Sequence, residues 1–415
     1  MKLIAMSAAL AAIAAVYAGP AFSQDKPIKV GAALDFTKVY TFVSAEYSQG
    51  QRDYISLLNA RGGIKGTPVE IETVDTGNEP QRGIEAYERF KNEGAVIVDF
   101  LSTPVSRAIV PRALADGMNV LTAFHGRSDA ADGTVFPTVF PMTPAYWSQA
   151  TAIVKYIGNK EGGSLAGKKI VLVHIDSPFG KEPIPVFQML AERLGYTFTD
   201  VGYPSPGNEQ SAQWTQVRRD RPDWVVIWGA GGAQPTSVRE ALRNGIEPGK
   251  VVSVIWLSET DMKIVGADQA KGISRFEGVA SGKDLPIVKA IETEVYAKGK
   301  GAGEAARVGS SYYNIGVATM ALFAEGARIA LETEGAPLTP AKLKNGLERI
   351  KDFTAEGLLP PVTITPEDHQ GGGQGRIATW DGKAWKDDTG WFAAYQDIVW
   401  SLVHQASAEF KAASK

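Results

Sequence analysis

A regular alternation of short apolar runs with longer helix-like segments constrains the fold of this chain more than any other feature. Between residues 28 and 123, the runs IKVGAAL, PVEIETVD, AVIVDF and NVLT are separated by segments with helical periodicity. Short runs of this kind between helices are typical of parallel strands, because the connecting helices cover both faces of the sheet. The pattern therefore predicts the order β-α-β-α-β-α-β and a parallel sheet with right-handed connections.

The same rhythm begins again after a proline-rich interruption. Pro137, Pro141 and Pro144 lie in the segment VFPTVFPMTPAYW, where closely spaced prolines favour an extended chain. Beyond it, KKIVLVHID, YTFTDVGYP, DWVVIWG and KVVSVIWL again alternate with helical segments. The sequence thus predicts the α/β class, with two doubly wound parallel-sheet lobes.

The proline-rich segment is interpreted as the first of three crossings between these lobes. The second is expected at FEGVASGKD, residues 276–284, and the third in the Pro- and Gly-rich stretch after Gly357, which also contains a hairpin around Asp381-Gly382. Two lobes joined by a three-segment hinge form a clamshell whose cleft lies between the two sheet edges. A ligand bound there would be buried when the lobes close.

The crossings set the predicted limits of the domains. The predicted units are a signal peptide at 1–23, lobe 1 at 24–143 and 283–358, lobe 2 at 144–282 and 359–393, and a C-terminal helix at 394–415. The last helix carries an apolar stripe of Tyr395, Ile398, Val399, Leu402 and Val403. The stripe indicates either packing on the body of the protein or a partner-binding surface.

The N-terminus has the three regions of a secretory signal peptide. A charged start is followed by the apolar stretch LIAMSAALAAIAAVYAG and by small residues, with Ala21 and Ser23 placed for cleavage after Ser23. A membrane anchor is the alternative, but Gly19 and Pro20 interrupt a run that is rather short to span a bilayer. We therefore expect export to the periplasm.

Composition excludes several classes of protein. The absence of cysteine removes a lipoprotein anchor, disulfides and thiol catalysis, and the four scattered histidines have no zinc-binding spacing. A net charge of −3 gives no nucleic-acid signature. We accordingly expect no metal, no cofactor and no nucleic-acid partner, and a monomer that binds a small molecule.

Two polar loops follow adjacent predicted strands, at the sheet edge where ligands bind in open α/β folds. The first loop starts a helix with a hydroxyl N-cap, so its free N–H groups favour an anion. The candidate residues of the two loops are Ser102, Thr103, Phe124, His125, Gly126 and Arg127. The alternative is that Thr103 only caps its helix.

The chain resembles the periplasmic solute-binding proteins of ABC transporters, and more narrowly the leucine/isoleucine/valine-binding branch with the type I periplasmic binding fold. The stretches that carry the resemblance are IKVGAALDFT, LSTPVSRAIVP, KKIVLVHIDSPFGKE and, most specifically, NARGGIKGTPVEIETVDTGNEP. The resemblance covers essentially the whole mature chain. The resemblance implies capture of an amino acid or related carboxylate for an ABC permease in the inner membrane.

The resemblance also implies a set of site residues. Ser102 and Thr103, with Phe124, His125 and Gly126, would hold the ligand carboxylate, and Glu259 would meet its ammonium group. Phe179 stands where the family often has a tyrosine that closes the cleft. Gly231 would permit close approach of the backbone.

Arg127 and His125 depart from the family pattern, in which a small hydroxyl residue is commoner. A cleft-facing Arg127 would favour an aromatic or other organic acid over a branched-chain amino acid, whereas pairing with Asp129 or Asp132 would remove it from the site. Related binding proteins that resemble this one take aromatic acids, amides or urea, so these ligands stay open as well.

An enzyme and a sensory receptor are the two alternatives to a transport function. An enzyme is disfavoured because GAGGAQ lacks the last glycine of a dinucleotide fingerprint and no G-x-S-x-G elbow is present. A sensory receptor that reports the ligand to a membrane partner stays open.

Overall fold

The structure is a computed structural model that describes residues 26–124 and 126–413. The strands are β1 Ile28–Leu34, β2 Val69–Asp75, β3 Ala95–Phe100, β4 Asn119–Leu121, β5 Val139–Phe140, β6 Lys169–Ile175, β7 Thr197–Tyr203, β8 Trp224–Trp228, β9 Val251–Ser253, β10 Ser274–Glu277, β11 Arg376–Trp380 and β12 Trp385–Asp387. The helices are α1 Thr41–Ala60, α2 Pro80–Asn92, α3 Thr103–Asp116, α4 Tyr146–Lys160, α5 Pro178–Lys181, α6 Ile184–Leu194, α7 Ser211–Asp220, α8 Ala233–Arg243, α9 Glu259–Val265, α10 Pro286–Glu294, α11 Ser311–Glu334, α12 Pro340–Leu347 and α13 Gln396–Ala413. A short 3-10 turn spans Ser128–Ala131.

The first sheet has five parallel strands in the order β2-β1-β3-β4-β5. Strand β1 pairs on both sides, with Val30 beside Ile71 on one neighbour and beside Ile97 on the other. Its side chains are buried from Val30 onward because helices cover both faces. The predicted parallel arrangement is confirmed, and we call this sheet with its helices lobe 1.

The second sheet has seven strands in the order β12-β11-β10-β9-β8-β6-β7. Strands β10, β9, β8, β6 and β7 are parallel, while β11 and β12 form the antiparallel hairpin predicted around Asp381-Gly382. We call this sheet with its helices lobe 2. Together the two sheets confirm the predicted fold class.

Two predicted boundaries within lobe 2 are wrong. The strand predicted over KVVSVIWL ends at Ser253, and Trp256 leaves the sheet so that its indole N–H donates to the Tyr146 hydroxyl at 2.8 Å. Phe276, predicted to begin a crossing, lies within β10, where it pairs with Ile377. A buried ion pair between Arg275 and Glu277 accompanies this strand, and the crossing starts only after it.

Helix α11 is the most buried helix of lobe 1 and packs closely against α1. Two glycines permit this approach, because a Cβ at Gly50 would lie 2.1 Å from the Tyr313 carbonyl oxygen and a Cβ at Gly316 would lie 2.1 Å from that of Tyr47. The largely apolar sequence of α11 therefore reflects burial between elements.

Helix α13 packs on the body of the protein through its apolar stripe. Ile398, Val399 and Val403 are buried. Near its start Asp397 pairs with Arg193 of lobe 2 at 2.6 Å, and near its end the Phe410 ring lies 4.7 Å from the Phe136 ring of lobe 1. The body-packing alternative for this stripe is therefore confirmed.

The predicted signal peptide at 1–23 lies outside the described residues. Within residues 26–124 and 126–413, no helix has the length and apolar character needed to cross a membrane. The same residues contain no group of three or more His, Cys, Asp or Glu side chains placed to hold a metal ion. We keep the predicted domain limits as a proposed division of the chain.

Candidate ligand-binding site between the lobes

A narrow cavity, whose free space of about 10 Å³ is about that of a single water molecule, lies between the carboxyl edges of the two sheets. Its lobe 1 wall comes from the start of α1 and from the link between β3 and α3, and its lobe 2 wall from the start of α4, from α5 and from the segment after β9. The lining residues are Tyr40, Phe42, Val43, Leu101, Thr103, Tyr146, Phe179 and Trp256. The position matches the cleft expected for a hinged two-lobe protein.

Aromatic rings from both lobes form most of the cavity wall. The Phe42 ring lies 5.6 Å from the Tyr312 ring and 6.4 Å from the Trp256 ring, both in edge-on geometry. The Tyr146 and Phe179 rings are 5.1 Å apart. Among the described residues that line the cavity, none carries a charged side chain. The space is therefore apolar and narrow.

Gly231 belongs to this contact between the lobes. Its φ is +60°, and a Cβ built there would lie 3.1 Å from Cδ1 of Phe42. Glycine thus allows the lobe 2 backbone to approach the lobe 1 ring closely. The close approach to a ligand that the resemblance implied for Gly231 stays a prediction.

Thr103 supplies a polar point on the lobe 1 wall. Its hydroxyl oxygen accepts the Gly126 N–H at 3.0 Å, and no described residue accepts the hydrogen of that hydroxyl. Ser102 does not line the cavity, because its hydroxyl caps α3 by accepting the Val105 N–H and donates to Asn78 at 2.6 Å. Ser102 therefore positions Thr103 at the positive end of the α3 dipole.

The Tyr146 hydroxyl is a second polar point, on the lobe 2 wall. It accepts the indole N–H of Trp256 at 2.8 Å. Burial raises the pKa of Tyr146 well above its ordinary value, so the phenol keeps its proton at neutral pH. That proton is available to an acceptor in the cavity.

Two more predicted site residues lie beside the cavity without lining it, and a third cannot be placed. Phe124 has a φ of +55° and is buried, and its ring fills the space beside Gly278, where a Cβ would meet it at 2.4 Å. Gly126 contributes its N–H to Thr103. His125 lies outside the described residues.

Arg127 is not in the cavity wall, which corrects the expected cationic corner. Its guanidinium pairs with both carboxylate oxygens of Asp129, at 3.1 and 2.6 Å. It also lies over two neighbouring rings, 4.7 Å from the Phe136 centroid and 4.3 Å from the Phe410 centroid. The alternative of pairing with Asp129 is therefore the observed one, and Arg127 holds the end of α13.

Glu259 does not line the cavity either. Its carboxylate accepts the Ser311 hydroxyl at 2.5 Å and lies 4.0 Å from the Arg275 guanidinium. Both partners belong to a buried network outside the aromatic cavity. Glu259 is thus already engaged where the resemblance implied a free ammonium partner.

Sequence reasoning missed most of the aromatic wall. The residues not predicted are Tyr40, Phe42, Val43, Leu101, Tyr146 and Trp256. A usable signal was present for Tyr40 and Phe42, since they directly follow the first strand on the ligand-binding edge. Trp256 had no such signal, because its apolar run indicated a continuing strand.

A family model described as periplasmic binding protein matches residues 27–387. The Leu/Ile/Val-binding protein homolog 3 of Brucella melitensis is 21% identical over 247 residues, which are 59% of this chain and 66% of the relative, just under two thirds. The Leu/Ile/Val-binding protein BraC3 of Rhizobium johnstonii is 22% identical over 278 residues, 65% of this chain and 72% of the relative.

Solved structures agree on the fold. One from the Pseudomonas fluorescens group, described as an ABC transporter permease, is 32% identical with a TM-score of 0.86 over 93% of this chain and 97% of that one. A branched-chain amino acid ABC transporter protein from Thermus thermophilus with bound valine is 18% identical, with a TM-score of 0.78 over 91% of this chain and 98% of that one. A fatty acid ABC transporter substrate-binding protein from Thermomonospora curvata is 20% identical, with a TM-score of 0.73 over 90% of this chain and 94% of that one.

The family model covers most of the chain and the two-lobed architecture agrees with it, so the resemblance inferred from the sequence is confirmed. The chain belongs to the periplasmic binding protein family, whose members bind ligands and are not enzymes.

Proposed function

We propose that this protein is the substrate-binding component of an ABC importer in the periplasm, and that it delivers a small aromatic carboxylic acid to a membrane permease. The importer role is supported by the family match and by the names of the structural relatives. The ligand class rests on the cavity itself.

The observation that supports this ligand class is the composition of the cavity wall. Five of the lining side chains are aromatic rings, contributed by both lobes, and the described lining residues carry no charge. Aromatic pairs in offset or edge-on contact gain about 0.5 to 1.5 kcal/mol beyond their buried area. A flat ring inserted between these walls would make several such contacts.

The polar end of the ligand would face Thr103. Its hydroxyl and its backbone N–H are donors there, because Pro104 has no N–H and the N–H groups of the next two residues bond to Ser102. The helix dipole favours an anion at this end. The Tyr146 hydroxyl is a further donor from the opposite lobe. A carboxylate suits this set because it only accepts hydrogen bonds.

An α-amino acid fits the described cavity less well. A buried ammonium group costs several kcal/mol unless an acidic partner is present. Glu259, the expected partner, is bonded to Ser311 and stands outside the lining. A branched-chain amino acid remains the second candidate, because both sequence relatives are named Leu/Ile/Val-binding proteins.

A long acyl chain is disfavoured by size. With the lobes as described, the free space in the cavity is only about 10 Å³, so the lobes must separate before any ligand can enter. A single ring with one carboxylate requires less separation than a long-chain fatty acid.

A thermal-shift screen of residues 24–415 tests the proposal. The panel contains benzoate, 4-hydroxybenzoate, L-leucine, L-valine, octanoate and choline. We expect the aromatic acids to raise the melting temperature by preferential binding to the folded state. A response to leucine and valine alone would replace the aromatic acid with an amino acid, and a response to choline alone would indicate a cation held by the aromatic rings.

Thr103→Val is the matched site variant for this screen. It removes the hydroxyl with little change in shape, so it should abolish most of the shift with the acids. Thr215→Val, at an exposed position on α7, removes a comparable hydroxyl far from the cavity and should leave the shift unchanged.

A further inference from the structure

Glu182 is a lobe 2 carboxylate that is buried against lobe 1. It lies between α5 and α6, and only 3% of its side chain is exposed. One carboxylate oxygen accepts both the backbone N–H and the hydroxyl of Ser128, each at 2.7 Å, and the other accepts a guanidinium N–H of Arg107 at 3.2 Å. Three donors from lobe 1 thus converge on one carboxylate of lobe 2.

The surroundings hold Glu182 in this position. The indole N–H of Trp147 donates to the Glu182 carbonyl oxygen at 2.8 Å, and the Trp147 backbone N–H donates to the Ser128 hydroxyl at 3.3 Å. Arg107 is half exposed, whereas Ser128 is buried. The Ser128 bonds are therefore the part of the contact that is shielded from water and salt.

The contact adjoins the ligand cavity. A Cβ at Gly126 would lie 2.7 Å from Glu182 Oε2 and 2.4 Å from Thr103 Cγ2. Glu182 therefore packs over the same glycine whose N–H holds the Thr103 hydroxyl. Phe179, which lines the cavity, belongs to the short helix that directly precedes Glu182.

We propose that Glu182 is a closure latch, a positioning residue whose bonds to Ser128 and Arg107 exist only when the lobes are closed. When the lobes separate, the carboxylate and its donors return to water. Charge-assisted hydrogen bonds in a water-poor contact are stronger than neutral ones, so they favour the closed form independently of any ligand. The latch therefore sets how much closed protein exists before ligand arrives.

Spin labels on the two lobes measure this directly. Because the chain has no cysteine, Gln81→Cys on α2 and Gln216→Cys on α7 place labels only at these two exposed positions. We expect a closed population in ligand-free protein, visible as a short distance in pulsed electron spin resonance. Glu182→Ala should lower the closed-to-open ratio about tenfold, equivalent to about 1.4 kcal/mol, and Glu182→Gln should have a smaller effect because it keeps an acceptor.

Two further variants complete the design. Glu192→Gln, at an exposed position on α6 of the same lobe, makes the same change of charge and should leave the distances unchanged. Ser128→Ala removes a donor from the opposite lobe, so it tests the latch even if Glu182→Ala does not fold. Both latch variants are expected to shift the distances in the same direction.

The proposal is overturned if the wild type shows no closed population, or if Glu182→Ala and Ser128→Ala match the control. A purely structural contribution of Glu182 would lower the melting temperature and leave the distance ratio unchanged, which also overturns the latch. No ligand enters this experiment, so its outcome is independent of the proposed ligand class.

Discussion

Replacing Gly126 with alanine should open the clamshell without harming either lobe. The backbone of Gly126 lies outside the left-handed region, so alanine meets no conformational penalty there. The added methyl group instead meets three atoms, Thr103 Cγ2 at 2.4 Å, Glu182 Oε2 at 2.7 Å and Thr103 Oγ1 at 3.0 Å. One of these partners belongs to the opposite lobe, and separation of the lobes removes it.

The size of the effect follows from the cost of overpacking. Adding a methyl group to a well-packed contact typically costs about 1 to 3 kcal/mol. Because each 1.4 kcal/mol is a factor of ten in an equilibrium constant, the closed-to-open ratio should fall by about 5- to 100-fold. The part of the strain that involves Thr103 persists in the open form, so the lower half of this range is expected.

The spin-label pair at positions 81 and 216 is the assay, with Gly249→Ala as the control. A Cβ at Gly249 meets no atom within 4 Å, and its backbone also lies outside the left-handed region. Gly126→Ala should lengthen the mean distance between the labels, while both variants keep the wild-type circular dichroism. An unchanged distance distribution for Gly126→Ala would show that Gly126 does not lie at the closing contact.

Three further predictions concern stability and the C-terminal helix. Gly316→Ala places a methyl group 2.1 Å from the Tyr47 carbonyl oxygen. The free energy of unfolding measured in urea should therefore fall by about 1 to 3 kcal/mol. A urea midpoint equal to that of the wild type would contradict the close packing of α1 on α11. Burial raises the pKa of Asp99 to about 7. The folded state therefore keeps a proton that the unfolded state releases near pH 4, so the free energy of unfolding falls between about pH 4 and 7. Asp99→Asn removes this pH dependence. The free energy of unfolding of the wild type minus that of the variant should therefore be lower at pH 8 than at pH 5. A difference that does not change with pH would refute the assignment. Arg127→Met removes the ion pair with Asp129 and the contact with Phe410, so amides at the end of α13 should exchange hydrogen about tenfold faster; unchanged exchange would mean that other contacts hold the helix.

The sequence predicted the layered fold well because a parallel sheet leaves a local record. Each buried strand such as β3 is a short apolar run, and each covering helix shows its own periodicity. Boundaries were less predictable where an apolar run leaves the sheet. The run that contains β9 continues through Trp256, which is apolar because it lines the cavity rather than because it pairs with another strand.

The candidate site was only partly predictable, because it depends on contacts between distant segments. Thr103 follows a strand on the ligand-binding edge, so its position indicated it, whereas Phe179 was indicated by the family resemblance. Arg127 lies on the same edge and carries a positive charge. Its guanidinium pairs with Asp129, two residues away, because burial of an unpaired guanidinium costs more free energy. Glu259 is engaged by Ser311, which is 52 residues away, and no local pattern records that contact.

The same limit applies to Glu182. In the sequence it is one acidic residue in the segment SPFGKEP, and no local pattern indicates that it is buried. Its burial arises only when lobe 1 presents Ser128 and Arg107 to it. Contacts that exist only in one state of a hinge leave no periodic pattern within either lobe.

The most direct test of the account is titration calorimetry of benzoate and L-leucine on one preparation of residues 24–415, refolded from denaturant to remove any carried ligand. We expect benzoate to bind at one site with a negative heat-capacity change and Thr103→Val to weaken this binding. We expect no heat of binding with leucine. Tight binding of leucine with no response to benzoate would contradict the account, because a buried ammonium group would then have an acidic partner that the described cavity does not provide.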